Sequence, residues 1–162
     1  MTDRAIIQTP AGLLRIDCAD EFVTGINFVD EGELVDNTTN FTFQTAVAEL
    51  RQYFEGKCKA FTFPHRQHGT AFQQEVWSQL MQIPFGATIT YKELAQRLGD
   101  EKKIRAAASA NGKNNLAILV PCHRVIGAGG QLVGYAGGLD RKRWLLMHEA
   151  GISGRPLQAA LF

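Results

Sequence analysis

The hydrophobic pattern differs between the first and the second part of the chain, and this difference limits the folds open to it. In the first third, short apolar segments alternate with polar residues, as in Leu13–Asp17, and glycines separate them. Alternation with a period of two is typical of strands. From Thr70 onward, apolar residues recur three and four positions apart, which is typical of amphipathic helices. The pattern predicts an α+β chain in which a small antiparallel sheet precedes a mainly helical part.

The first part is predicted to hold a meander of strands followed by one helix. The predicted strands are Ala5–Gln8, Leu13–Asp17 and Phe22–Phe28, with Gly25 as a candidate bulge, and Phe61–Pro64 as one more short strand. A polar stretch, Asp30–Thr39, predicts a loop. Apolar residues at helical spacing predict a helix over Phe43–Phe54 that Gly56 ends. The polar link His65–Gly69 places a domain boundary, which divides the chain into residues 1–68, residues 69–155 and a weakly ordered tail over 156–162.

The second part is predicted to contain a helix-turn-helix. Thr70 would cap a first helix over Ala71–Met81. Thr90 would cap a helix over Tyr91–Leu98, with Glu93 three residues later completing a capping box. A further helix begins near Asp100 and runs through Lys102–Ala110, so a glycine-containing turn joins two helices. The last helix covers roughly Asp140–Glu149.

The formal charge of +1 conceals an uneven distribution along the chain. Residues 1–68 carry a balance of −4 and residues 69–162 a balance of +5. A basic second half suggests a module that faces DNA or another anion. There is no run of about 18 apolar residues, and the first five residues are of mixed charge with no long apolar core, so we expect neither a membrane span nor a signal peptide. A cytoplasmic location is the default expectation.

The three cysteines, Cys18, Cys58 and Cys122, are too few and too widely spaced for a disulfide framework. No Cys/His set has the spacing of zinc ligands, so we expect no metal. Cys122 differs from the other two because His123 and Arg124 follow it directly. Neighbouring positive charge favours the thiolate, which is the nucleophilic form. If the fold brings Glu149 close to His123, the three side chains would form a Cys–His–acid arrangement. The alternative is a buried structural cysteine that happens to precede a basic pair.

The segment Pro121-Cys122-His123-Arg124-Val125 resembles the active-site signature of the O6-alkylguanine-DNA alkyltransferases of bacterial type, also called methylated-DNA–protein-cysteine methyltransferases. The resemblance is dense from Thr70 to Gly151. It includes Phe72-x-x-x-Val76-Trp77, Ile83-Pro84-x-Gly86, Thr90-Tyr91-x-x-Leu94-Ala95, Gly134-Tyr135-Ala136-Gly137-Gly138 and Trp144-Leu145-Leu146-x-His148-Glu149. Arg105 and Asn114 stand 17 and 8 residues before Cys122, where the family keeps an arginine and an asparagine. The resemblance also implies that the N-terminal part is similar to the family's ribonuclease H-like half.

The resemblance implies roles for five catalytic residues. Cys122 accepts the alkyl group, His123 takes the thiol proton through a water, and Glu149 orients His123. Tyr91 resembles the tyrosine that protonates N3 of the base. Asn114 resembles the asparagine that ties the helix-turn-helix to the active-site segment; turn formation after Gly112 is the alternative, and Asn115 is its near neighbour.

Other residues are assigned by resemblance to substrate or DNA binding. Arg105 resembles the finger that fills the gap left by the extruded base, Val125 supplies a backbone N–H to O6, and Tyr135 forms a wall of the base pocket. Ala136 stands where some relatives have a serine, so a donor to O6 is missing and bulkier alkyl groups are expected to fit. The expected DNA contacts come from Thr90, Lys102, Lys103, Ala106, Ser109 and Lys113.

The function implied by the resemblance is stoichiometric repair of O6-alkylguanine, and of O4-alkylthymine, in double-stranded DNA. The base would be flipped out of the duplex and the alkyl group transferred irreversibly to Cys122. No cofactor is expected, and the chain is expected to be a monomer that binds DNA, with cooperativity as a further possibility. Two alternatives remain: a non-catalytic lesion-binding or regulatory helix-turn-helix protein, and a cysteine hydrolase that uses Cys122, His123 and Glu149.

Overall fold

The computed structural model describes residues 2–36 and 40–155 of the 162-residue chain. The chain divides into two compact units. The first combines Met1–Gln67 with Asn115–Leu119, and the second combines His68–Asn114 with Val120–Phe162. The return of residues 115–119 to the first unit was not predicted from the sequence. The predicted tail, residues 156–162, lies outside the described residues.

The first unit contains a four-stranded antiparallel sheet of order β3-β2-β1-β4. Its strands are β1 (Thr2–Thr9), β2 (Gly12–Ala19), β3 (Phe22–Val29) and β4 (Val35–Asp36). The three predicted strands are confirmed and extend further than their apolar centres. The predicted loop over Asp30–Thr39 is wrong in part, because Val35 and Asp36 pair with Ile6 and Ala5 of β1.

Burial in the sheet follows the period-two pattern of the sequence. Leu14, Ile16 and Cys18 of β2 are buried, whereas the residues between them are partly exposed. The register shifts once, because Asp17 lies opposite Gly25 and Cys18 lies opposite Val23. The extra residue is therefore next to Gly25, the candidate bulge position.

The helix of the first unit, α1, covers Phe41–Phe54. It begins two residues before the predicted start, since the side chain of Asn40 accepts a hydrogen bond of 2.8 Å from the backbone N–H of Phe43. Its buried face contains Phe43, Ala46, Val47, Leu50, Tyr53 and Phe54. The helix ends at Gly56, whose φ of +79° is the left-handed conformation that glycine adopts at such ends.

The strand predicted over Phe61–Pro64 is wrong. The backbone N–H and the hydroxyl of Thr62 both bond to the carboxylate of Glu49, at 2.8 and 2.6 Å, so a side chain takes the place of a strand partner. Only His65, just beyond, forms an isolated bridge with Val23. Residues 115–117 also pair locally with β3, because Ile26 bonds through its backbone to Asn115 and Ala117.

The second unit is mainly helical. Its elements are α2 (Ala71–Leu80), β5 (Ile89–Thr90), α3 (Tyr91–Arg97), a 3-10 turn (Glu101–Lys103), α4 (Ile104–Gly112), a second 3-10 turn (Cys122–Arg124), β6 (Val125–Ile126) and α5 (Leu139–Ser153). Both α2 and α3 pack against α4, and β5 pairs with β6 in parallel. The indole N–H of Trp77 donates to the Ala110 carbonyl at 2.9 Å and fixes α2 to α4.

The predicted N-caps Thr70 and Thr90 are confirmed, but the capping box predicted at Thr90 is wrong. Thr70 and Gln73 form a full capping box at the start of α2. At α3, Thr90 accepts from the backbone N–H of Glu93, but the Glu93 carboxylate meets the Thr90 hydroxyl and not its backbone N–H. The helix predicted from Asp100 is split, because the short 3-10 turn precedes α4. Across the described ranges, no helix has both the length and the apolar character needed to cross a membrane.

Candidate active site

Cys122 is held at the start of a 3-10 turn by the backbone around Pro121. Pro121 has φ −80° and ψ 64°, the conformation of an inverse γ-turn, and the Cys122 N–H donates to the Val120 carbonyl at 2.7 Å. The preceding residues 118–120 are buried, so the turn is anchored in apolar surroundings. Cys122 is itself 6% exposed and lines a cavity of about 370 Å³. We call it the Cys122 cavity; its walls include Tyr91, Arg105, Asn111, Asn114, Tyr135 and Ala136.

The imidazole of His123, the residue after Cys122, forms a pair with the carboxylate of Glu149. Nε2 of His123 lies 2.6 Å from Oε2 of Glu149, and both side chains are buried. Since a carboxylate only accepts hydrogen bonds, Nε2 carries the proton and Nδ1 of His123 keeps its lone pair. That Nδ1 is buried and has no protein hydrogen-bond partner in the described part of the chain. It is therefore available to accept a proton.

Arg124 fixes Glu149 from the other side. Its guanidinium donates to both carboxylate oxygens, at 2.7 and 3.1 Å, and to the Ile83 carbonyl at 2.7 Å. The backbone N–H of Gly86 also donates to Glu149, at 3.1 Å. Burial alone would raise the pKa of Glu149, but the neighbouring His123 and Arg124 hold it well below its usual range. Glu149 is therefore an anion at neutral pH, and Arg124 has the structural position expected from the sequence.

Burial of the thiol and of the imidazole favours a neutral resting state. Burial raises the pKa of the Cys122 thiol, while a hydrogen bond from Asn114 and the charge of Lys142 oppose this increase. Burial lowers the pKa of His123, although Glu149 opposes the decrease. At neutral pH the pair is thus a thiol beside a neutral imidazole. This is a nucleophile that a base must deprotonate when it reacts.

Tyr91 lies at the first position of α3 and faces the same cavity. Its hydroxyl donates to the Val133 carbonyl at 3.0 Å. Burial raises the pKa of Tyr91, the charge on Cys122 adds to the increase, and a hydrogen bond from Asn111 opposes it. The hydroxyl is therefore protonated at neutral pH and can act as an acid toward a molecule in the cavity.

Asn114 joins the end of α4 to the segment before Cys122, as predicted. Its side-chain amide donates to the Val120 carbonyl at 2.8 Å and also contacts the thiol. Asn115, its neighbour, instead bonds to Asn27 and Thr24 in the first unit. The choice of Asn114 over Asn115 therefore agrees with the geometry.

Two polar residues of the site, Lys142 and Asn111, were not predicted from the sequence. Lys142 is fully buried on α5 and donates to the carbonyls of Val125, Val133 and Gly134 at 2.7, 3.0 and 3.3 Å. Burial lowers its pKa to about 8. Asn111 is 5% exposed and lines the cavity. For Lys142 a signal was available, since a lysine on the buried side of a helix needs acceptors nearby.

Three of the four predicted substrate-binding residues line the Cys122 cavity, and the fourth lies outside its lining. Arg105, Tyr135 and Ala136 line the Cys122 cavity. Val125 is fully buried outside the cavity lining, and its backbone N–H donates to the Cys122 carbonyl within the 3-10 turn. Contact of this N–H with O6 would require that bond to be shared or broken, so this assignment remains a prediction.

The predicted DNA contacts also separate into two groups. Lys102, Ala106, Ser109 and Lys113 are exposed. The Lys103 ammonium, by contrast, donates to the Leu98 carbonyl at 3.1 Å, and the Thr90 hydroxyl is used in the α3 cap. A phosphate would have to compete with these partners at Lys103 and Thr90. Among residues 2–36 and 40–155, no three His, Cys, Asp or Glu side chains are grouped as a metal site.

The site thus combines a buried cysteine with a buried imidazole–carboxylate pair, the residue types of a Cys–His–acid arrangement. Two protein-family models match the chain. The one described as "6-O-methylguanine DNA methyltransferase, ribonuclease-like domain" matches residues 4–66, and the one described as "6-O-methylguanine DNA methyltransferase, DNA binding domain" matches residues 71–151. The chain belongs to the 6-O-methylguanine DNA methyltransferase family.

Known relatives match over nearly the whole chain. The methylated-DNA–protein-cysteine methyltransferase of Methanosarcina acetivorans is 40% identical over 150 residues, which cover 90% of this chain and 96% of the relative. The crystal structure of the O6-methylguanine methyltransferase of Mycobacterium tuberculosis matches with a TM-score of 0.79 and 37% identity, over 100% of this chain and 99% of that one. A second structure, of Mycobacterium tuberculosis OGT in complex with DNA, matches with a TM-score of 0.82 and 38% identity, over 92% and 93% of the two chains.

Proposed function

We propose that this protein repairs O6-alkylguanine in double-stranded DNA by transferring the alkyl group to Cys122. The observation that carries the proposal is the Cys122 cavity, which Cys122 and Tyr91 both line, together with the buried His123–Glu149 pair that begins at the next residue of the chain. Family membership supports the same reaction. The cavity's volume of about 370 Å³ is within the usual range for small-molecule sites, which suits an extruded base.

The reaction can be written so that protons and electrons balance. The thiol proton passes to Nδ1 of His123 through a water, and Glu149 stabilises the resulting imidazolium. The sulfur electron pair forms the new S–C bond as the C–O6 bond breaks, and the released pair passes into the guanine ring. Tyr91 then gives its O–H proton to N3 of the base, so that guanine leaves neutral and a phenolate remains. Exchange with solvent returns the proton held by His123 to Tyr91.

The proposed DNA contacts come from the exposed part of α4 and from its flanks. A stacked base cannot present its O6 substituent to a buried sulfur, so the lesion must be flipped out, at a cost of a few kcal/mol. We propose that α3 and α4 act as a helix-turn-helix, with Arg105 filling the vacated stack. The small residues Ala106 and Ser109 would let α4 approach a groove, and Lys102 and Lys113 would meet phosphates.

The proposal also specifies how many lesions one chain repairs, which substrates it accepts, and where and in what oligomeric state it acts. A thioether is chemically stable in water, so one chain repairs one lesion. We extend the substrate range to O4-alkylthymine, and to bulkier alkyl groups because Ala136 is small. The protein is proposed to act as a cytoplasmic monomer that needs no cofactor.

The DNA product gives a direct test of this proposal. A duplex with one O6-methylguanine is incubated with increasing protein, digested to nucleosides, and assayed for O6-methylguanine and guanine. The expected result is one guanine restored per chain, with a sharp break at equimolar protein. Cys58→Ala, which removes a buried cysteine of the other unit, should behave like the wild type, and Cys122→Ala should restore none. Binding of the lesion without restored guanine would favour a lesion-sensing protein and overturn the proposal.

A further inference from the structure

Asn111 lines the Cys122 cavity but has no role in the reaction proposed above. It lies in the last turn of α4 and is 95% buried, since its exposed fraction is 5%. Its Nδ2 atom donates to the carbonyl of Cys122 at 3.4 Å. Its Oδ1 atom is buried and has no protein partner in the described residues. A polar side chain held in this way in the wall of a reactive cavity calls for a chemical explanation.

The orientation of the Asn111 amide follows from its partners. A backbone carbonyl only accepts hydrogen bonds, so the NH₂ end, and not Oδ1, must face Cys122. The same NH₂ group has a second hydrogen. Tyr91 and Asn111 both line the Cys122 cavity, and a hydrogen bond from Asn111 lowers the pKa of the Tyr91 hydroxyl against the larger effect of burial. Asn111 therefore donates to the residue that bears the nucleophile and lines the same cavity as the residue that would supply the acid.

We propose that Asn111 is a positioning residue for Tyr91: its N–H holds the phenolic oxygen in the cavity and stabilises the negative charge that develops there when Tyr91 protonates N3 of the base. The inference rests on the proposed function and adds a residue to it. In the resting structure the Tyr91 proton is directed to the Val133 carbonyl, which cannot stabilise a phenolate because it has no hydrogen to donate. A donor is needed on the other side of the oxygen, and Asn111 is placed to provide it.

Lys142, a cation near the Tyr91 ring, is less suited to this task. The Lys142 ammonium lies 5.8 Å from the centre of the Tyr91 ring, and its hydrogens are directed to the carbonyls of Val125, Val133 and Gly134. Lys142 thus contributes charge to the surroundings of the ring, whereas Asn111 contributes a directed hydrogen bond to the oxygen.

The test compares two substrates that differ only at the atom Tyr91 is proposed to protonate. One duplex carries O6-methylguanine and the other its 3-deaza analogue, in which N3 is replaced by C–H. The rate constant for transfer to Cys122 is measured in single turnover for the wild type and for Asn111→Leu, a near-isosteric variant without the amide. Asn111→Leu should slow transfer from O6-methylguanine by about 10- to 100-fold, the effect of losing one hydrogen bond to a charged group. It should leave the rate with the 3-deaza analogue unchanged.

Controls separate a role in proton donation from a role in folding. Gln82→Leu removes an exposed side-chain amide of the same unit, outside the cavity lining, and should leave both rates unchanged. In a Tyr91→Phe background, adding Asn111→Leu should cause no further loss. If Asn111→Leu does not fold, Asn111→Ala removes the same amide without adding bulk and must give the same pattern.

Several outcomes would overturn the inference. Equal slowing of both substrates by Asn111→Leu would assign Asn111 a purely structural role. Equal wild-type rates for the two substrates would mean that N3 is not protonated, which removes the role of Asn111 while transfer to Cys122 stands. An absence of transfer from both substrates in the wild type would instead reject the proposed function, and the role of Asn111 with it.

Discussion

Replacing Glu149 by glutamine should destabilise the protein strongly, because the carboxylate is shared by two buried side chains. Oε2 of Glu149 lies 2.6 Å from Nε2 of His123, and the Arg124 guanidinium donates to the two carboxylate oxygens at 2.7 and 3.1 Å. The Glu149 side chain is only 1% exposed. A glutamine leaves the buried guanidinium of Arg124 without a counter-charge and turns an NH₂ group toward a donor. Breaking a buried ion pair from one side costs about 3–5 kcal/mol. That is a large share of the roughly 5–15 kcal/mol by which a domain is stable.

Urea denaturation followed by circular dichroism at pH 7 measures this loss, and the thermal midpoint should fall by about 6–20 °C. The control is Asp140→Asn, in which the carboxylate is fully exposed and its ion pair with Arg143 is 3.2 Å long. This control should leave the stability unchanged. A loss below about 1 kcal/mol for Glu149→Gln would refute the reasoning, since it would mean that the buried charge of Arg124 needs no partner.

The stability lost in Glu149→Gln should also depend on pH. The folded pKa of Glu149 lies below its unfolded value of about 4.3. Glu149 therefore contributes its full stabilisation above that unfolded value and loses it as the pH falls toward the folded pKa. The difference in stability between wild type and Glu149→Gln should shrink when the urea titrations are repeated below about pH 4. A difference that stays constant down to pH 2 would contradict the assignment.

Three further predictions concern the walls of the Cys122 cavity. Tyr91→Phe should slow single-turnover transfer by about 10²- to 10⁴-fold, because the variant lacks the general acid. Its DNA affinity, measured by fluorescence anisotropy, should be unchanged. A normal transfer rate would exclude Tyr91 as the acid. The folded pKa of Lys142 is about 8, below the unfolded value of about 10.4, so the unfolded state binds the extra proton between them. Urea titrations should therefore show the wild type gaining stability relative to Lys142→Met as the pH rises from about 8 to about 10, and a relative loss would contradict the sign. Asn114→Ala removes one of two donors to the buried Val120 carbonyl, the other being the Cys122 N–H. The unfolding free energy from thermal denaturation should fall by about 0.5–1.5 kcal/mol, whereas an unchanged midpoint would mean that the Asn114 bond contributes nothing to stability.

The parts of the fold that depend on local patterns could be predicted from the sequence. The alternation in Leu13–Asp17 and the spacing in Phe43–Phe54 are set by which residues face the core, so β2 and α1 were identified correctly. The short strand β4 could not be, because Val35 and Asp36 are strand residues only through pairing with β1. The segment 115–119 joins the first unit for a similar reason, since its partner Ile26 is far away in the sequence.

The candidate site also has some features that local sequence predicts and others that depend on contacts between distant residues. Cys122 and His123 are adjacent in a short motif, and their chemistry can be read from the residue types. The contact of His123 with Glu149 spans 26 positions and was predicted by resemblance. A lysine on the buried side of a helix signals that acceptors lie nearby, but only the packed structure shows which three carbonyls accept from Lys142. Asn111 has no such signal, because only the packed structure brings it to the Cys122 carbonyl and into the cavity.

The most direct test of the central claim is the intact mass of the protein after reaction with a duplex that carries one O6-methylguanine. Transfer predicts a gain of one methylene (~14 Da) per chain, located by peptide mapping on the segment with Cys122, saturating at one and absent in Cys122→Ala. An unchanged mass with the lesion still bound, or a gain on Cys18 or Cys58, would contradict the assignment of Cys122 as the alkyl acceptor.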